Sequence, residues 1–108
     1  MATTGKNLSH YDGATLPNGA HFRVGIVVSE WNEEITTGLL NGAIQVLNEA
    51  GLTGDQCPIA HVPGAFELPL AAKWMLEGVN PCDAVIAIGA VIRGETAHFD
   101  YVCQGVTQ

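Results

Sequence analysis

Short apolar runs along this chain alternate with longer stretches in which apolar residues recur every three or four positions. The runs predict buried strands at Arg23–Ser29, Pro58–Val62 and Asp83–Ile92, because short β-branched segments between turn residues are typical of strands. The third run is apolar on both faces, so we expect it at the centre of a sheet. The longer stretches predict helices over residues 33–50, 67–77 and 97–108.

Residues at the ends of the predicted helices agree with these boundaries. Asn32 is a favourable N-cap for the first helix, and Gly51 is a favourable residue just after its end. Pro69 is tolerated in the first turn of the second helix, and Thr96 can cap the third. Because strands and helices alternate, we predict the α/β fold class, with parallel strands joined by right-handed crossovers.

The composition excludes several classes of protein. The chain has 108 residues, of which 47% are hydrophobic, so it forms one domain with a core and is too apolar for a disordered chain. Four Lys and Arg residues against eleven Asp and Glu give a net charge of −7, so we expect no nucleic-acid partner. The longest apolar run is shorter than the roughly 20 residues that span a bilayer, so we expect no membrane partner.

The N-terminal segment and the cysteines predict a cytoplasmic protein of one domain. Residues 1–20 are polar and lack the apolar core of a signal peptide, so they predict a flexible N-terminal arm ahead of a domain over 21–108. Cys57, Cys82 and Cys103 are an odd number without the spacing of metal ligands. They therefore predict reduced thiols and no metal site.

Ligands of open α/β sheets bind at the loops that follow the carboxyl ends of the strands. Here these loops hold Trp31, then Phe66 with Glu67, and then a glycine turn followed by His98. Trp31 follows a strand directly and lies off the apolar stripe of the next helix, so its indole is able to stack on a planar heterocycle. The alternative is a surface tryptophan that packs on a neighbouring loop.

Polar residues in these loops have both a chemical and a structural interpretation. The Glu67 carboxylate, with the backbone of Ala65 and Phe66, can bind ligand hydroxyls, or it can simply stabilise a helix N-terminus. A helix N-terminus also disfavours a cationic His98, which leaves a neutral imidazole able to move protons; the alternative is a surface histidine. Gly94–Thr96 is a candidate phosphate cradle, although any glycine turn before a helix looks alike.

The three loops together resemble one protein family. The blocks that carry the resemblance are Trp31–Asn32 with Glu34–Thr36 and Gly38–Leu40, then Val62–Pro69, then Gly89, Val91–Thr96 and His98–Cys103. They resemble the 6,7-dimethyl-8-ribityllumazine synthase family over about residues 23–108. The resemblance implies a flavodoxin-like three-layer α/β sandwich with a parallel sheet. It also implies a step of riboflavin biosynthesis, in which 5-amino-6-(D-ribitylamino)uracil condenses with 3,4-dihydroxy-2-butanone 4-phosphate with loss of phosphate and water, and without a metal or cofactor.

The resemblance implies a role for individual residues, position by position. His98 matches the family's proton-transfer residue and is the implied catalytic residue. The implied substrate-binding residues are Trp31, stacked on the pyrimidine, Ala90, Val91 and Ile92 at the strand end beside it, Ala65, Phe66 and Glu67 along the ribityl chain, and Glu95 and Thr96 at the phosphate.

The resemblance also carries expectations about length and assembly. Family members continue beyond the matching region with a further strand and helices, which supply a basic residue at the phosphate. We therefore expect a chain truncated at its C-terminus, with a sandwich that is incomplete there. Family members self-associate as rings, so we expect a pentamer or a shell of pentamers. The alternative function is a non-catalytic ligand-binding or assembly fragment of the synthase.

Overall fold

Three parallel strands form one sheet in the computed structural model, which describes residues 10–108. The strands are β1 (Val24–Ser29), β2 (Ile59–Val62) and β3 (Ala84–Ile88), and the helices are α1 (Glu33–Glu49), α2 (Leu68–Glu77) and α3 (His98–Thr107). Three short 3₁₀ turns lie at Gly13–Thr15, Gly54–Gln56 and Ala65–Glu67. The alternation of strand and helix predicted from the apolar pattern is confirmed. None of the helices in this part of the chain is both long and apolar enough to cross a membrane.

The strand order is β2-β1-β3, which matches the start of the flavodoxin-like order. In this register Ile26 of β1 lies between Ile59 of β2 and Ile86 of β3. The prediction that Asp83–Ile92 is a central strand is therefore wrong, because β1 is central among the described strands and β3 ends at Ile88. The apolar residues that follow Ile88 belong to a loop. An apolar run alone does not distinguish a strand from a loop that is rich in apolar residues.

The core has two halves because alternate side chains of β1 point to opposite faces of the sheet. Ile26 and Val28 pack against α1 on one face. Val27 packs with Ala65 and Leu68 against α2 and α3 on the other. This arrangement of helix, sheet and helices is the three-layer α/β sandwich that the resemblance implied.

The helix ends follow the sequence signals in one case and depart from them in two. Gly51 follows α1 with a φ of 95°, which is the left-handed conformation predicted for the residue after a helix. The hydroxyl of Thr96 accepts the N–H of His98 at 3.4 Å, but α3 begins at His98 and its N-cap is Ala97, so the prediction that Thr96 is the cap is wrong by one residue. Asn32 does precede α1, but the prediction that its side chain caps the helix is wrong, since that side chain donates to the Ala90 carbonyl.

The described part of the N-terminal segment contacts the end of α1. The hydroxyl of Tyr11 donates to the carboxylate of Glu49, and the N–H of Gly19 donates to the carbonyl of Ala50 at 2.6 Å. Residues 1–9 of the predicted arm lie outside the described residues, and the flexibility of the arm stays a prediction.

Candidate functional site

The loops at the carboxyl edge of the sheet enclose a cavity of about 630 Å³. The loop after β1, the turn after β2 and the loop after β3 with the first turn of α3 form its walls. The residues predicted from the sequence that line it are Trp31, Ala65, Phe66, Glu67, Ala90, Val91, Ile92 and His98. Segments that are far apart in the chain therefore meet at one place, as the rule for parallel sheets leads one to expect.

The backbone of Trp31 is fixed by a hydrogen bond, whereas its side chain is exposed. Its N–H donates to the carbonyl of Pro63 at 3.2 Å, which continues the pairing of β1 with β2 up to the cavity. One edge of the indole lies beside Gly64, where an added Cβ would be 3.2 Å from Cδ1. The residue is nevertheless 71% exposed. The side chain packs on a neighbouring loop, which is the alternative considered from the sequence. It still presents a flat aromatic surface to a ligand.

Asn32 joins the first loop to the third. Its backbone is left-handed, with φ 61° and ψ 48°, a conformation that Asn tolerates better than most residues. Its side-chain amide donates to the carbonyl of Ala90 at 3.0 Å. Its own carbonyl accepts the N–H groups of Ile35 and Thr36 at the start of α1. Asn32 thus fixes the position of Trp31 relative to the segment that follows β3.

The turn after β2 is stabilised by Glu67. The Oε2 atom of this carboxylate accepts the N–H of Gly64 at 3.0 Å, and the backbone N–H of Glu67 donates to the carbonyl of Gly64 at 3.3 Å. The structural interpretation of Glu67 is therefore correct in part, because the carboxylate caps a turn. Since the same residue also lines the cavity, its capping bond holds the carboxylate at the cavity wall.

Helix α3 begins at the cavity with His98. This residue is exposed and lines the cavity. Glu95 and Thr96 lie in the bend just before the helix and do not line the cavity. The structure thus brings eight of the predicted site residues together and leaves these two at the entrance of the helix.

A cation lies close to this bend. The guanidinium of Arg93 is 4.6 Å from the ring centroid of Phe99 and 3.6 Å from the carboxylate of Asp100. Both side chains of the ion pair are largely exposed, so the pair contributes little to stability. Arg93 is thus placed beside the N-terminus of α3, where an anion would be favoured by the helix dipole.

Five cavity residues were not predicted from the sequence. Asn32, Pro63 and Gly64 lie inside the loops already singled out, but their side chains are neither aromatic nor charged and gave no signal of a site. Tyr101 and Val102 also line the cavity. They follow His98 by three and four residues, so helical spacing was a signal that could have found them.

The cavity combines an aromatic surface, an apolar wall, a carboxylate and an imidazole. These groups suit a planar heterocycle that carries a hydroxylated chain, with proton transfer at one end. Within residues 10–108, no three His, Cys, Asp or Glu side chains converge as ligands of a metal ion.

Comparison with known proteins gives one consistent result. The family model described as 6,7-dimethyl-8-ribityllumazine synthase matches residues 21–108. The chain is 57% identical over its whole length to the synthase of that name from Flavobacterium johnsoniae and 54% identical to that from Christiangramia forsetii. The synthase of Streptomyces coelicolor is 48% identical over 87% of the chain. The chain covers 56%, 64% and 56% of the length of these relatives, in that order.

The chain belongs to the 6,7-dimethyl-8-ribityllumazine synthase family. The resemblance first seen in three loops therefore extends through the strands and helices between them. In this family member, the loops that carried the resemblance are also those that line the cavity.

Proposed function

We propose that this chain forms the substrate site of a 6,7-dimethyl-8-ribityllumazine synthase of riboflavin biosynthesis, an enzyme of the transferase class. The observation that carries the proposal is the convergence of Trp31, Glu67 and His98 on one cavity in a member of that family. The substrates are 5-amino-6-(D-ribitylamino)uracil and 3,4-dihydroxy-2-butanone 4-phosphate.

The pyrimidine substrate lies in the cavity with its ring against Trp31. Stacking on the exposed indole orients the ring, and the backbone of Ala90–Ile92 forms the wall on its other side. The ribityl chain extends along Ala65, Phe66 and Glu67, where backbone groups and the carboxylate oxygen not engaged in the turn bind its hydroxyls. The cavity volume of about 630 Å³ falls in the usual range for sites of small ligands.

The phosphate of the second substrate lies at the bend formed by Glu95 and Thr96. The positive end of the α3 dipole favours an anion at this position, and backbone N–H groups there are able to donate to it. The Glu95 side chain then has to point away from the phosphate. Arg93 supports this placement, because its guanidinium already lies beside the first turn of α3.

The reaction consists of two condensations separated by an elimination. The 5-amino nitrogen attacks the ketone carbon, and loss of water gives an imine. The proton on C3 is removed as phosphate leaves C4, and the enol formed in this way tautomerises to a carbonyl at C3. The ribityl-bearing nitrogen then attacks this new carbonyl, and a second water is lost as the ring closes. Each step moves protons between nitrogen, carbon and oxygen, and His98 is the imidazole placed at the cavity to do so.

We also propose that the protein assembles with copies of itself as a ring, either a pentamer or a shell of pentamers, in the cytoplasm. Exposed apolar side chains on α2 and just beyond it, Leu70, Trp74 and Val79, support a surface that is covered in an assembly. The three free cysteines, Cys57, Cys82 and Cys103, fit a reducing compartment. Sedimentation velocity of the purified protein measures the size of the assembly.

The experiment that tests the proposed function is formation of the lumazine from the two substrates, followed optically with the purified protein. We expect turnover in the wild type and a large loss in His98→Ala. The matched control is His21→Ala, because His21 is exposed in the segment before β1 and does not line the cavity. Turnover no faster than the uncatalysed reaction would refute the proposal and leave a ligand-binding or assembly fragment as the function.

A further inference from the structure

The ring of Phe66 fills a notch that Gly105 leaves in α3. A Cβ added to Gly105 would lie 2.2 Å from Cε2 of Phe66, 2.9 Å from Cδ2 and 3.2 Å from Cζ. Ordinary van der Waals contact of a Cβ begins at about 3.4 Å. Any side chain at position 105 therefore requires the ring or the helix to move by more than an ångström.

The helix itself gives no reason for a glycine at this position. Glycine is unfavourable inside a helix because its backbone loses the most conformational freedom on folding. Gly105 does not have the positive φ that would require glycine. In α1, by contrast, an added Cβ at Gly38 or Gly42 would meet nothing within 4 Å. The close approach of Phe66 is thus what distinguishes Gly105 from the glycines of α1.

The contact between Phe66 and Gly105 joins two walls of the cavity. Phe66 belongs to the Ala65–Glu67 turn, lines the cavity and is 59% exposed as a residue. Gly105 belongs to α3, whose first turns supply His98 and Tyr101 to the opposite wall. The depth to which the ring enters the notch therefore sets the separation of the turn from the helix.

We propose that Gly105 is a positioning residue that holds the Phe66 ring back from the cavity and so sets the width available to the ligand. This inference rests on the proposed function, because it assumes that the ligand lies along the Ala65–Glu67 turn. The structure can accommodate a methyl group at position 105 in two ways. The ring moves towards the open cavity and narrows it, or α3 moves away and takes His98 with it. Both responses weaken binding of a ligand that contacts both walls.

The test is a double-mutant cycle of Gly105→Ala and Phe66→Ala in the purified protein, in which binding of 6,7-dimethyl-8-ribityllumazine is measured. We expect Gly105→Ala to weaken binding about tenfold in the wild-type background, which is a difference of about 1.4 kcal/mol. In the Phe66→Ala background the same change should have almost no effect, because the ring that the methyl group would meet is gone. Equal effects of Gly105→Ala in the two backgrounds would overturn the proposal.

Gly38→Ala is the matched control, since it adds the same methyl group to a helix where the space is open. We expect it to leave binding unchanged. Urea unfolding of the wild type, Gly105→Ala, Phe66→Ala and the double variant tests the contact without a ligand, and so separates this proposal from the proposed function. If the wild type does not bind the lumazine, the proposed function fails. The contact between Phe66 and Gly105 is then judged by whether their effects on the unfolding midpoint couple or add, and additivity would overturn the positioning role.

Discussion

The two edges of the sheet are built from different chemistry. At the amino edge, side chains bind the backbone of neighbouring segments: the amide of Gln56 donates to the carbonyls of Ala20 and Phe22 at 2.7 and 3.0 Å. The N–H of Arg23 donates to the Asp83 carboxylate at 2.8 Å, and the N–H of Asp83 donates back to the Arg23 carbonyl at 2.7 Å. At the carboxyl edge, large apolar side chains stay exposed around the cavity, among them Trp31, Phe66 and Ile92.

This difference separates the residues that stabilise the fold from those that are placed for a ligand. An exposed aromatic ring contributes little to the free energy of unfolding. A side chain that hydrogen-bonds backbone N–H or C=O groups, which would otherwise lack a partner, stabilises the fold. Substitutions at the amino edge should therefore change the free energy of unfolding and leave ligand binding intact. Substitutions at the carboxyl edge should do the reverse, and the following predictions are ordered by the size of the expected effect.

His98→Ala should give the largest effect and should confine it to catalysis. A positioned proton-transfer residue contributes about 10²–10⁴-fold to the rate, so we expect kcat for lumazine formation to fall by that factor. His98 is exposed at the start of α3, so we expect the unfolding midpoint to be unchanged. An unchanged kcat would remove His98 from the mechanism.

Ile26→Ala should give the largest loss of stability, because this side chain is fully buried at the centre of the sheet. Removing a buried isoleucine down to alanine costs about 2–5 kcal/mol of unfolding free energy. Ile35→Ala is the control, since Ile35 is 47% exposed on α1 and should cost less than about 1 kcal/mol. Urea unfolding compares the two, and equal losses would show that burial in β1 does not dominate the core.

Gln56→Ala tests the amino edge itself. The change removes the two bonds to Ala20 and Phe22 and the bond that the N–H of Thr53 donates to its Oε1 atom at 3.2 Å. Three hydrogen bonds at about 0.5–1.5 kcal/mol each predict a loss of roughly 1–3 kcal/mol after partial replacement by water. Gln104→Ala, at an exposed position of α3, is the control. A weakened ligand affinity in Gln56→Ala at unchanged stability would contradict the division between the two edges.

Trp31→Ala should weaken binding of the pyrimidine substrate about tenfold, which is 1.4 kcal/mol and typical of one lost aromatic stacking contact. The reason is loss of the aromatic surface on which the pyrimidine stacks. Because Trp31→Phe keeps an aromatic ring, it should retain most of the affinity. Trp74→Ala removes an equally exposed indole from α2, outside the cavity, and serves as the control. Isothermal titration measures all three, and equal affinity of wild type and Trp31→Ala would refute stacking.

Loss of the contact between Tyr11 and Glu49 should have the smallest effect on stability, and the titration of this contact should be seen only at alkaline pH. The hydrogen bond to Glu49, with a smaller contribution from burial and from the carboxylate charge, raises the pKa of Tyr11 above its ordinary value of 10.0. A raised folded-state pKa means that this contact stabilises the folded state fully below about pH 10 and is lost as the pH rises through the folded pKa. Phenolate absorbance of wild type minus Tyr11→Phe measures the titration. In Glu49→Gln we expect the pKa of Tyr11 to return towards 10.0.

How much could be read from the sequence depended on whether the signal was local. The end of α1 shortly before Gly51 and the strand β1 were predictable, because turn chemistry and β-branched runs act over a few residues. The end of β3 at Ile88 was not, since the apolar residues after it line a cavity instead of a sheet. The bond from Asn32 to Ala90 and the notch at Gly105 were equally hidden, because each joins segments that only the tertiary fold brings together.

The candidate site shows the same division between local and tertiary signals. Aromatic and charged residues in strand-to-helix loops were sufficient to select Trp31, Glu67 and His98. The second role of Glu67, as a cap on the N–H of Gly64, was visible only as an alternative in the sequence. The sequence placed the start of α3 at residue 97, one residue from the observed start at His98. It did not show that Glu95 and Thr96 lie beside the cavity and not in its wall, because the path of the loop after β3 depends on tertiary packing.

Hydrogen–deuterium exchange with and without 5-amino-6-(D-ribitylamino)uracil is the most direct test that the carboxyl edge is the ligand site. Peptides that cover Trp31, the Ala65–Glu67 turn and Ala90–Ile92 should exchange more slowly when the ligand is bound. Peptides that cover Gln56 and Asp83 at the amino edge should not change. Protection at the amino edge, or no protection at the carboxyl edge at saturating ligand, would contradict the account.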